Sequence, residues 1–210
     1  MRVLIIQQGS KDCPPIKSNK YDLAVLNDNP KRCILTGESM ILPEMSKWEA
    51  VNEYLKHQGE SIMKSYDYVW IPDKNLTVSP NSLVAFFDSI EKQDSRSLFS
   101  PKVYTKFRPE DDIKALMTPC FSHTGNFAFV IQSYAPCFKA EFLVKTVAPF
   151  LNENSEFLKS GIGIDKWWSK KTNGGSILNT MIIQCSDYKN SEHADKEYKH
   201  FSTIRGMVKH

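Results

Sequence analysis

Short apolar strands alternate with helix-forming segments along this sequence, and that alternation restricts its fold more than any other feature. The predicted strands are short runs of β-branched or aromatic residues that end in polar turns, namely Val3–Ile6, Tyr21–Leu26, Cys33–Thr36, Tyr66–Ile71 and Leu98–Val103. Apolar residues recur every three to four positions over Pro43–Lys64 and after Ser79-Pro80, which predicts two helices, the first with a break at Gly59. This order predicts an α/β domain with a mixed, mostly parallel central sheet flanked by helices.

The second half of the chain continues the pattern less regularly. Its predicted elements are a strand at Phe127–Ile131, a helix at Ala140–Asn152 in spite of Pro149, a loop leading into a helical turn at Gly161–Trp168, and a strand at Leu178–Gln184. The tail from Asp187 onward has few apolar residues. We therefore predict that it is a surface segment unless a ligand organises it.

Length and charge limit the class of protein. A chain of 210 residues can bury one substantial core, so a single domain over 1–210 is predicted. Its 27 basic and 24 acidic residues are spread along the chain without a block of lysine or arginine. Nucleic acid is therefore excluded as an expected partner.

Cysteine use and apolar run length indicate the compartment. The five cysteines are widely spaced and form no C-x-x-C pair, which predicts buried free thiols in a reducing compartment. The first apolar run is too short for a signal peptide, and no run approaches the length of a membrane span. The expected location is the cytoplasm.

One predicted strand end carries residues suited to a metal-dependent reaction. The stretch YDYVWIPDKNL is an aromatic strand that delivers Asp73, one spacer and Asn75 at its tip. Ligands of open α/β sheets bind beyond the carboxyl ends of the strands. Carboxylate and amide oxygens suit Mg²⁺ or Mn²⁺, which can offset the charge of a departing diphosphate. The alternative is a polar turn in which both residues serve turn geometry alone.

Five short motifs follow one another in an order that resembles a known family. They are Lys47-Trp48, YDYVWIPDKNL, SLFSPKV, FVIQSYAPCF and GIGID, spanning roughly residues 45 to 170. The series resembles that of the GT-A glycosyltransferase-like proteins of the D-x-D type found in bacteria and plants. Within that family the chain is similar to the N-terminal glycosyltransferase domain of a multidomain chlorovirus protein that helps build the glycans of the viral capsid protein. No motif is long, so the specificity lies in the series.

The resemblance implies both a domain plan and an activity. It implies one GT-A domain, with a donor-binding half at about 1–104 and an acceptor-side half at about 105–210. The implied reaction moves a hexose or deoxyhexose from a UDP-sugar to a glycan or glycoprotein acceptor, with Mn²⁺ or Mg²⁺ as cofactor. A viral protein of this kind would act in the host cytoplasm and would have no membrane span. The resemblance also allows the domain to be part of a larger multidomain chain.

The family's metal site carries over to residues of this sequence. Asp73 and Asn75 fall on the D-x-D, which contacts the metal and the donor diphosphate. The amide of Asn75 replaces a carboxylate, so the ion should bind more weakly or depend on a further ligand. His193 is the candidate for that ligand and His200 the second, with a solvated surface histidine as the alternative for each. Arg205 is a candidate phosphate clamp.

The remaining candidates surround the donor and the acceptor. Gln8, Gly9 and Asp28 follow the first two predicted strands, where the donor's base and ribose should lie, although ordinary turns are the alternative. The resemblance adds Lys47 to the donor-binding residues. Asp165, in GIGID, falls on the acidic residue that faces the acceptor and is the candidate general base of an inverting enzyme. Its alternative role is that of a helix N-cap.

Three points stay open in the sequence. Trp167 and Trp168 could stack on an acceptor sugar, but a core position is favoured for at least one of them. A nucleotidyltransferase is an alternative function, for which QQGSKDC would be a poor phosphate loop. A sugar-nucleotide-binding protein without activity is the other alternative, and Asn75 favours it.

Overall fold

The strands that the computed structural model describes form one sheet. The structure describes residues 1–9, 16, 19–27, 39–41, 45–74, 76–93, 96–105, 127–128, 131, 133–161, 163–185, 196 and 200–201. The strands in this part of the chain are β1 (Val3–Gln8), β2 (Asp22–Asn27), β3 (Ser39–Ile41), β4 (Tyr68–Trp70), β5 (Leu76–Thr77), β6 (Leu98–Thr105), β7 (Phe127–Ala128), β8 (Cys137–Lys139) and β9 (Gly175–Cys185).

Helices cover the sheet. They are α1 (Lys47–Ser65), α2 (Pro80–Glu91), α3 (Ala140–Phe142), α4 (Ala148–Glu153) and α5 (Ile164–Lys171). None of these helices is long and apolar enough to cross a membrane.

The described strands lie in the order β3-β2-β1-β4-β8-β6-β9-β5, and β7 also pairs with β9. Strands β3, β2, β1 and β4 run parallel to one another, whereas β8 is antiparallel to both of its neighbours. The predicted mixed sheet flanked by helices is therefore confirmed. Its parallel half brings the carboxyl ends of β1, β2 and β4 to one edge, where ligands of such sheets bind.

Alternate side chains of the central strands build a core on each face of the sheet. Leu4 and Val69 belong to the apolar cluster on the face covered by α1, α3, α4 and α5. Ile5 and Trp70 belong to the cluster on the other face, which is covered by α2. A strand buried on both faces needs apolar residues at successive positions. This is why these strands appear in the sequence as continuous apolar runs.

Helix α1 begins at Lys47, later than predicted, and it is not broken. The Ser46 side chain accepts a hydrogen bond from the Glu49 amide, and the Glu49 carboxylate accepts one from the Ser46 amide at 2.8 Å, so the two residues form a capping box. The predicted break at Gly59 is wrong. Gly59 is buried inside the helix, where a Cβ would be 3.5 Å from Cγ1 of Val144.

The predicted helix Ala140–Asn152 is helical but changes its winding before Pro149. A π-helical segment, Leu143–Val147, joins α3 to α4. Proline has no amide hydrogen for the carbonyl four residues back, and its ring clashes with that carbonyl in a regular α-helix. The wider π turn accommodates the proline without ending the helix.

Other differences from the sequence predictions concern short elements and the tail. Strands β3, β5 and β8 were not predicted, because two or three residues are too few to show a period. The predicted strand Cys33–Thr36 lies outside the described residues. Phe201 is buried in the core, so the tail is not entirely a surface segment. Cys137 is a buried free thiol, as predicted.

Gly161 lies in the loop before α5, and we predict that alanine there destabilises the fold. Its φ of +69° is one that L side chains rarely adopt, and an added Cβ would overlap Cδ1 of Trp48 and lie 2.8 Å from its Nε1. The Gly161→Ala change should lower the free energy of unfolding by about 2–3 kcal/mol. Chemical denaturation with urea measures this value.

Gly59→Ala is the matched control for that change. Gly59 has an ordinary helical conformation and room for a methyl group beside Val144. Alanine is preferred over glycine in a helix interior, so the free energy of unfolding of this variant should rise by about 0.5–1 kcal/mol. Equal effects of the two substitutions would contradict the close contact between Gly161 and Trp48.

Candidate active site

The carboxyl ends of β1 and β2 meet the N-terminus of α1. The Gln8 side chain donates to the Met45 carbonyl at 2.7 Å, and the Gly9 amide donates to the Leu26 carbonyl at 2.8 Å. The first bond ties the end of β1 to the residue before the N-cap of α1. The predicted donor-binding residues Gln8 and Gly9 therefore lie at this edge of the sheet, as expected.

Asp73 lies three residues beyond the end of β4, the strand that pairs with β1. The Ile71 amide donates to the Pro136 carbonyl at 2.9 Å, and the Asp73 amide donates to the Tyr134 carbonyl at 2.7 Å. The Trp70 indole donates to the Ala135 carbonyl at 3.1 Å. These bonds carry the β4–β8 pairing past the ends of both strands, so the backbone of Asp73 is fixed by the segment before β8.

Lys47, the first residue of α1, holds the Asp73 side chain. Its Nζ donates to Oδ1 of Asp73 at 2.5 Å, to the Ser133 carbonyl at 2.7 Å and to the Tyr134 carbonyl at 3.2 Å. The same nitrogen lies 4.9 Å from the centre of the Trp48 ring. One ammonium therefore joins α1, the tip of β4 and the segment before β8.

Burial raises the pKa of the Asp73 carboxyl above its ordinary value, and the Lys47 ammonium opposes that rise. The side chains of Lys47 and Asp73 are 13% and 26% exposed. Both charges lie largely out of water, so each depends on the other for compensation.

The described residues supply only part of the predicted metal site. Within them, no group of three or more His, Cys, Asp or Glu side chains could hold a metal ion. Asp73 offers one oxygen ligand of the kind that Mg²⁺ and Mn²⁺ prefer. The other two predicted ligands, Asn75 and His193, lie outside the described residues, as do the predicted donor contacts Asp28 and Arg205.

Asp165 is the second residue of α5 and not its N-cap. The N-cap is Gly163, whose φ of +95° is a conformation that favours glycine. The Asp165 Oδ1 accepts a hydrogen bond from the Lys166 amide at 2.9 Å. The N-cap alternative for Asp165 is therefore corrected, although the carboxylate does lie in the first helical turn, where negative charge is favoured.

Burial raises the pKa of the Asp165 carboxyl from 3.8 to about 6, in spite of hydrogen bonds and the Lys166 charge that lower it. A carboxylate with this pKa is a stronger base than an ordinary aspartate and is still ionised at neutral pH. The electrostatics therefore suit the predicted role of a general base.

The N-terminal turn of α1 also contacts the loop that leads to α5. The Ser46 hydroxyl donates to the Leu158 carbonyl at 2.8 Å, and Gly161 lies against the ring of Trp48. The rings of Trp48 and Trp168 are 5.0 Å apart. This turn therefore packs against the segment that carries Asp165 and, through Lys47, holds Asp73.

Both tryptophans of α5 take part in packing, but to different extents. Trp168 is fully buried, and its indole donates to the Ile131 carbonyl at 2.8 Å. Trp167 stacks on Phe150 with ring centres 3.6 Å apart, and Lys171 Nζ lies 5.7 Å from the Trp167 ring centre. Trp168 is therefore a core residue, as predicted for at least one of the two, whereas Trp167 is only partly buried.

His200 is held against the end of α4. Its ring stacks on Phe157 with centres 3.6 Å apart, and its Nε2 is 2.8 Å from Oδ1 of Asn154. That nitrogen is hydrogen-bonded within the protein, so the structure disfavours His200 as the second candidate metal ligand.

Sequence reasoning missed the residues that connect the two sides of this site. Ser46 could have been found, because S-x-x-E before an apolar run marks a capping box. The Ser133 and Tyr134 carbonyls that bind Lys47 lie within the FVIQSYAPCF motif, but the motif gave them no role, since any residue type provides a carbonyl.

Solved structures share this fold. The chain superposes on Staphylococcus aureus TarS 1–349 in complex with UDP-GlcNAc with a TM-score of 0.60 at 10% identity, covering 99% of this chain and 66% of that one. For GalNAc-T7 with UDP, GalNAc and Mn²⁺ the TM-score is 0.61 at 10% identity, with 97% and 48% covered. For CMP:2-keto-3-deoxy-manno-octonic acid synthetase complexed with CTP it is 0.55 at 8% identity, with 99% and 100% covered. No protein-family model and no curated protein matches the sequence.

The chain therefore has the GT-A fold, which TarS and GalNAc-T7 share as glycosyltransferases. It spans 66% of the TarS 1–349 chain and 48% of the GalNAc-T7 chain. At these identities the likeness shows the fold alone, because activity depends on the residues of the site.

Proposed function

We propose that this chain is a glycosyltransferase that uses a UDP-sugar donor. The observation that carries the proposal is the position of Asp73, held by Lys47 beyond the end of β4 in a GT-A fold. Ligands of open α/β sheets bind at such strand ends. The TarS and GalNAc-T7 structures with this fold contain UDP-GlcNAc and UDP, respectively, which supports a uridine nucleotide as the donor class.

On the donor side, most of the proposed contact residues lie at the carboxyl ends of the parallel strands or directly after them. Gln8, Gly9 and Asp28 would contact the base and ribose, and Arg205 would contact the diphosphate. Asp73 and Asn75, with His193 as a further ligand, would hold Mn²⁺ or Mg²⁺, which supplies positive charge to the leaving diphosphate. The Mn²⁺ in the GalNAc-T7 structure supports this choice of ion.

On the acceptor side, Asp165 is the proposed general base. As the bond between the anomeric carbon and the diphosphate oxygen breaks, the acceptor hydroxyl oxygen bonds to that carbon. The hydroxyl proton passes to the Asp165 carboxylate, and UDP leaves with the electron pair. A base with a pKa of about 6 is ionised at neutral pH and strong enough to assist this transfer.

The finer setting rests on the motif series alone. That series favours a hexose or deoxyhexose, a glycan or glycoprotein acceptor, and a part in glycosylating a viral capsid protein. We also propose that donor binding occupies about 1–104 of a single domain and acceptor binding about 105–210.

Donor binding with metal is the direct test of this function. With MnCl₂ and UDP-GlcNAc at about 100 times the Kd, the melting temperature should rise by roughly 5 °C or more, because a ligand that binds only the native state stabilises it. Slow release of UDP should accompany this rise, measured by chromatography. Stabilisation without release of UDP, even with acceptors present, would indicate a binding protein without activity.

A nucleotidyltransferase is the second candidate, because this chain covers the whole of the CMP:2-keto-3-deoxy-manno-octonic acid synthetase chain. That enzyme was solved with CTP. Release of pyrophosphate from CTP in the presence of a sugar acid, without release of UDP from UDP-GlcNAc, would favour this class.

A further inference from the structure

We infer that Lys47 is a positioning residue that acts through Asp73 and does not itself contact the donor. Resting on the proposed function, the inference changes the role that the sequence predicts for this lysine from donor contact to internal support. We call the group formed by Lys47, Asp73 and the Ser133 and Tyr134 carbonyls the Lys47 clamp.

The geometry of the Lys47 clamp uses the bonding capacity of the ammonium. A lysine ammonium has three hydrogens to donate. Nζ of Lys47 already donates to three oxygens of the protein, at 2.5 Å, 2.7 Å and 3.2 Å. A phosphate oxygen could be bound only by giving up one of these bonds.

The surroundings of Lys47 favour the same conclusion. Its side chain is only 13% exposed, and the Trp48 ring lies beside its charge. A charge this far out of water is stable only with compensating partners. Asp73 supplies the opposite charge and the two carbonyls supply dipoles, so the ammonium is satisfied within the protein.

The Lys47 clamp fixes the position of the Asp73 carboxylate, the group proposed to bind the metal ion. The backbone amide of Asp73 is bonded to the Tyr134 carbonyl at 2.7 Å, and its side chain is bonded to the lysine that also holds Tyr134. Backbone and side chain are therefore tied to one segment. Such support lowers the reorganisation needed when a ligand binds.

The first test is a double-mutant cycle on the ligand-free protein, using Lys47→Met, Asp73→Asn and the double variant. Lys47→Met alone leaves the Asp73 carboxylate without its partner, so it should destabilise strongly. Asp73→Asn removes that charge, so the unfolding equilibrium constants measured in urea should show a coupling of about tenfold or more. Lys64→Met, an exposed lysine at the end of α1, is the matched control and should show none.

The outcomes of this cycle distinguish a Lys47 clamp from two independent residues. Coupling of the expected size supports the clamp, as does a Lys47→Met protein that folds only when Asp73→Asn is also present. The inference is overturned by additive losses of stability, or by a double variant that does not fold when Lys47→Met alone does not fold either.

The second test measures the affinity for UDP with MnCl₂ by calorimetry. Lys47→Met should weaken binding about tenfold or more in the wild-type background but less than about twofold in the Asp73→Asn background, because Lys47 acts through Asp73. Equal losses in both backgrounds would show direct contact with the nucleotide and overturn the inference. If the wild-type protein binds no UDP, the proposed function fails, while the stability cycle still decides whether the clamp exists.

Discussion

Replacing Asp73 with asparagine is expected to weaken Mn²⁺-dependent binding of UDP-GlcNAc by about 100-fold. The substitution keeps the volume of the side chain and an oxygen acceptor for Lys47, but it removes the negative charge that would attract a divalent ion. Loss of one preorganised electrostatic contact in an active site costs roughly 100-fold to 1000-fold in rate, and we expect an effect at the lower end of that range on the affinity for the metal and its diphosphate. Calorimetric titration with MnCl₂, and again with EDTA, measures the metal-dependent part.

Glu60→Gln is the matched control for Asp73→Asn. Glu60 is also acidic, but its side chain is 87% exposed on α1 and pairs with Lys64 at 3.5 Å. Its neutralisation should leave the affinity unchanged within about twofold, since exposed ion pairs contribute little. Unchanged affinity in Asp73→Asn as well would contradict the assignment of Asp73 to the donor site.

The strands and helices that the sequence predicted well are those whose pattern is local. The apolar run at Val3–Ile6 has both faces buried, and the stripe after Ser79-Pro80 faces one side of the sheet. In each case the residues themselves show the period that burial requires. Strand β8 is predictable only from its neighbours, because β4 pairs with all three of its residues and β6 pairs with two of them.

The candidate site was predictable in part. Asp73 was found because a carboxylate ends an aromatic strand, and a strand end is where an α/β sheet binds ligands. Its ion-pair partner could not be predicted. Lys74 is adjacent in sequence, yet the bonded lysine is Lys47, which tertiary packing of α1 over the sheet brings into place.

The position of Asp165 in its helix shows a similar limit. Asp is usually preferred over Gly as an N-cap, so the sequence pointed to Asp165. The chain enters α5 with a positive φ at Gly163, however, and glycine accepts that conformation most readily. The carboxylate is thereby moved into the first turn of the helix, largely out of water.

Asp165→Asn is expected to lower glycosyl transfer by roughly 100-fold or more while leaving UDP-GlcNAc affinity within about threefold of wild type. The amide cannot take the acceptor's proton, whereas the donor is proposed to bind at the ends of β1, β2 and β4. The kcat of transfer and the Kd of the donor, measured on the same variant, separate these effects. A parallel loss in both would contradict a role on the acceptor side.

The pH dependence of the proposed transfer by the wild-type protein follows from the same group. Only the ionised carboxylate can act as a base, and the pKa of Asp165 is raised to about 6. Transfer should therefore fall about tenfold per pH unit below about 6 and level off above it. A profile that stays level down to the ordinary aspartate range would show that this carboxyl is not the base.

The stability of the fold should depend on pH in the opposite sense. The pKa of Asp165 is higher in the folded chain, about 6, than the ordinary value of 3.8, so the folded state binds the proton more tightly. This contribution is fully present below about pH 4 and is lost as the pH rises through about 6, amounting to at most about 3 kcal/mol. Asp165→Asn removes the ionisation, so this variant should exceed the wild type in stability at pH 8 but not at pH 4. Urea denaturation at both pH values measures the difference.

The two possible roles of Asp165 predict different results for Asp165→Asn at pH 8. If the buried charge is kept for catalysis, the variant should be more stable than the wild type but inactive. If the carboxylate only caps α5, its neutralisation should lower the stability.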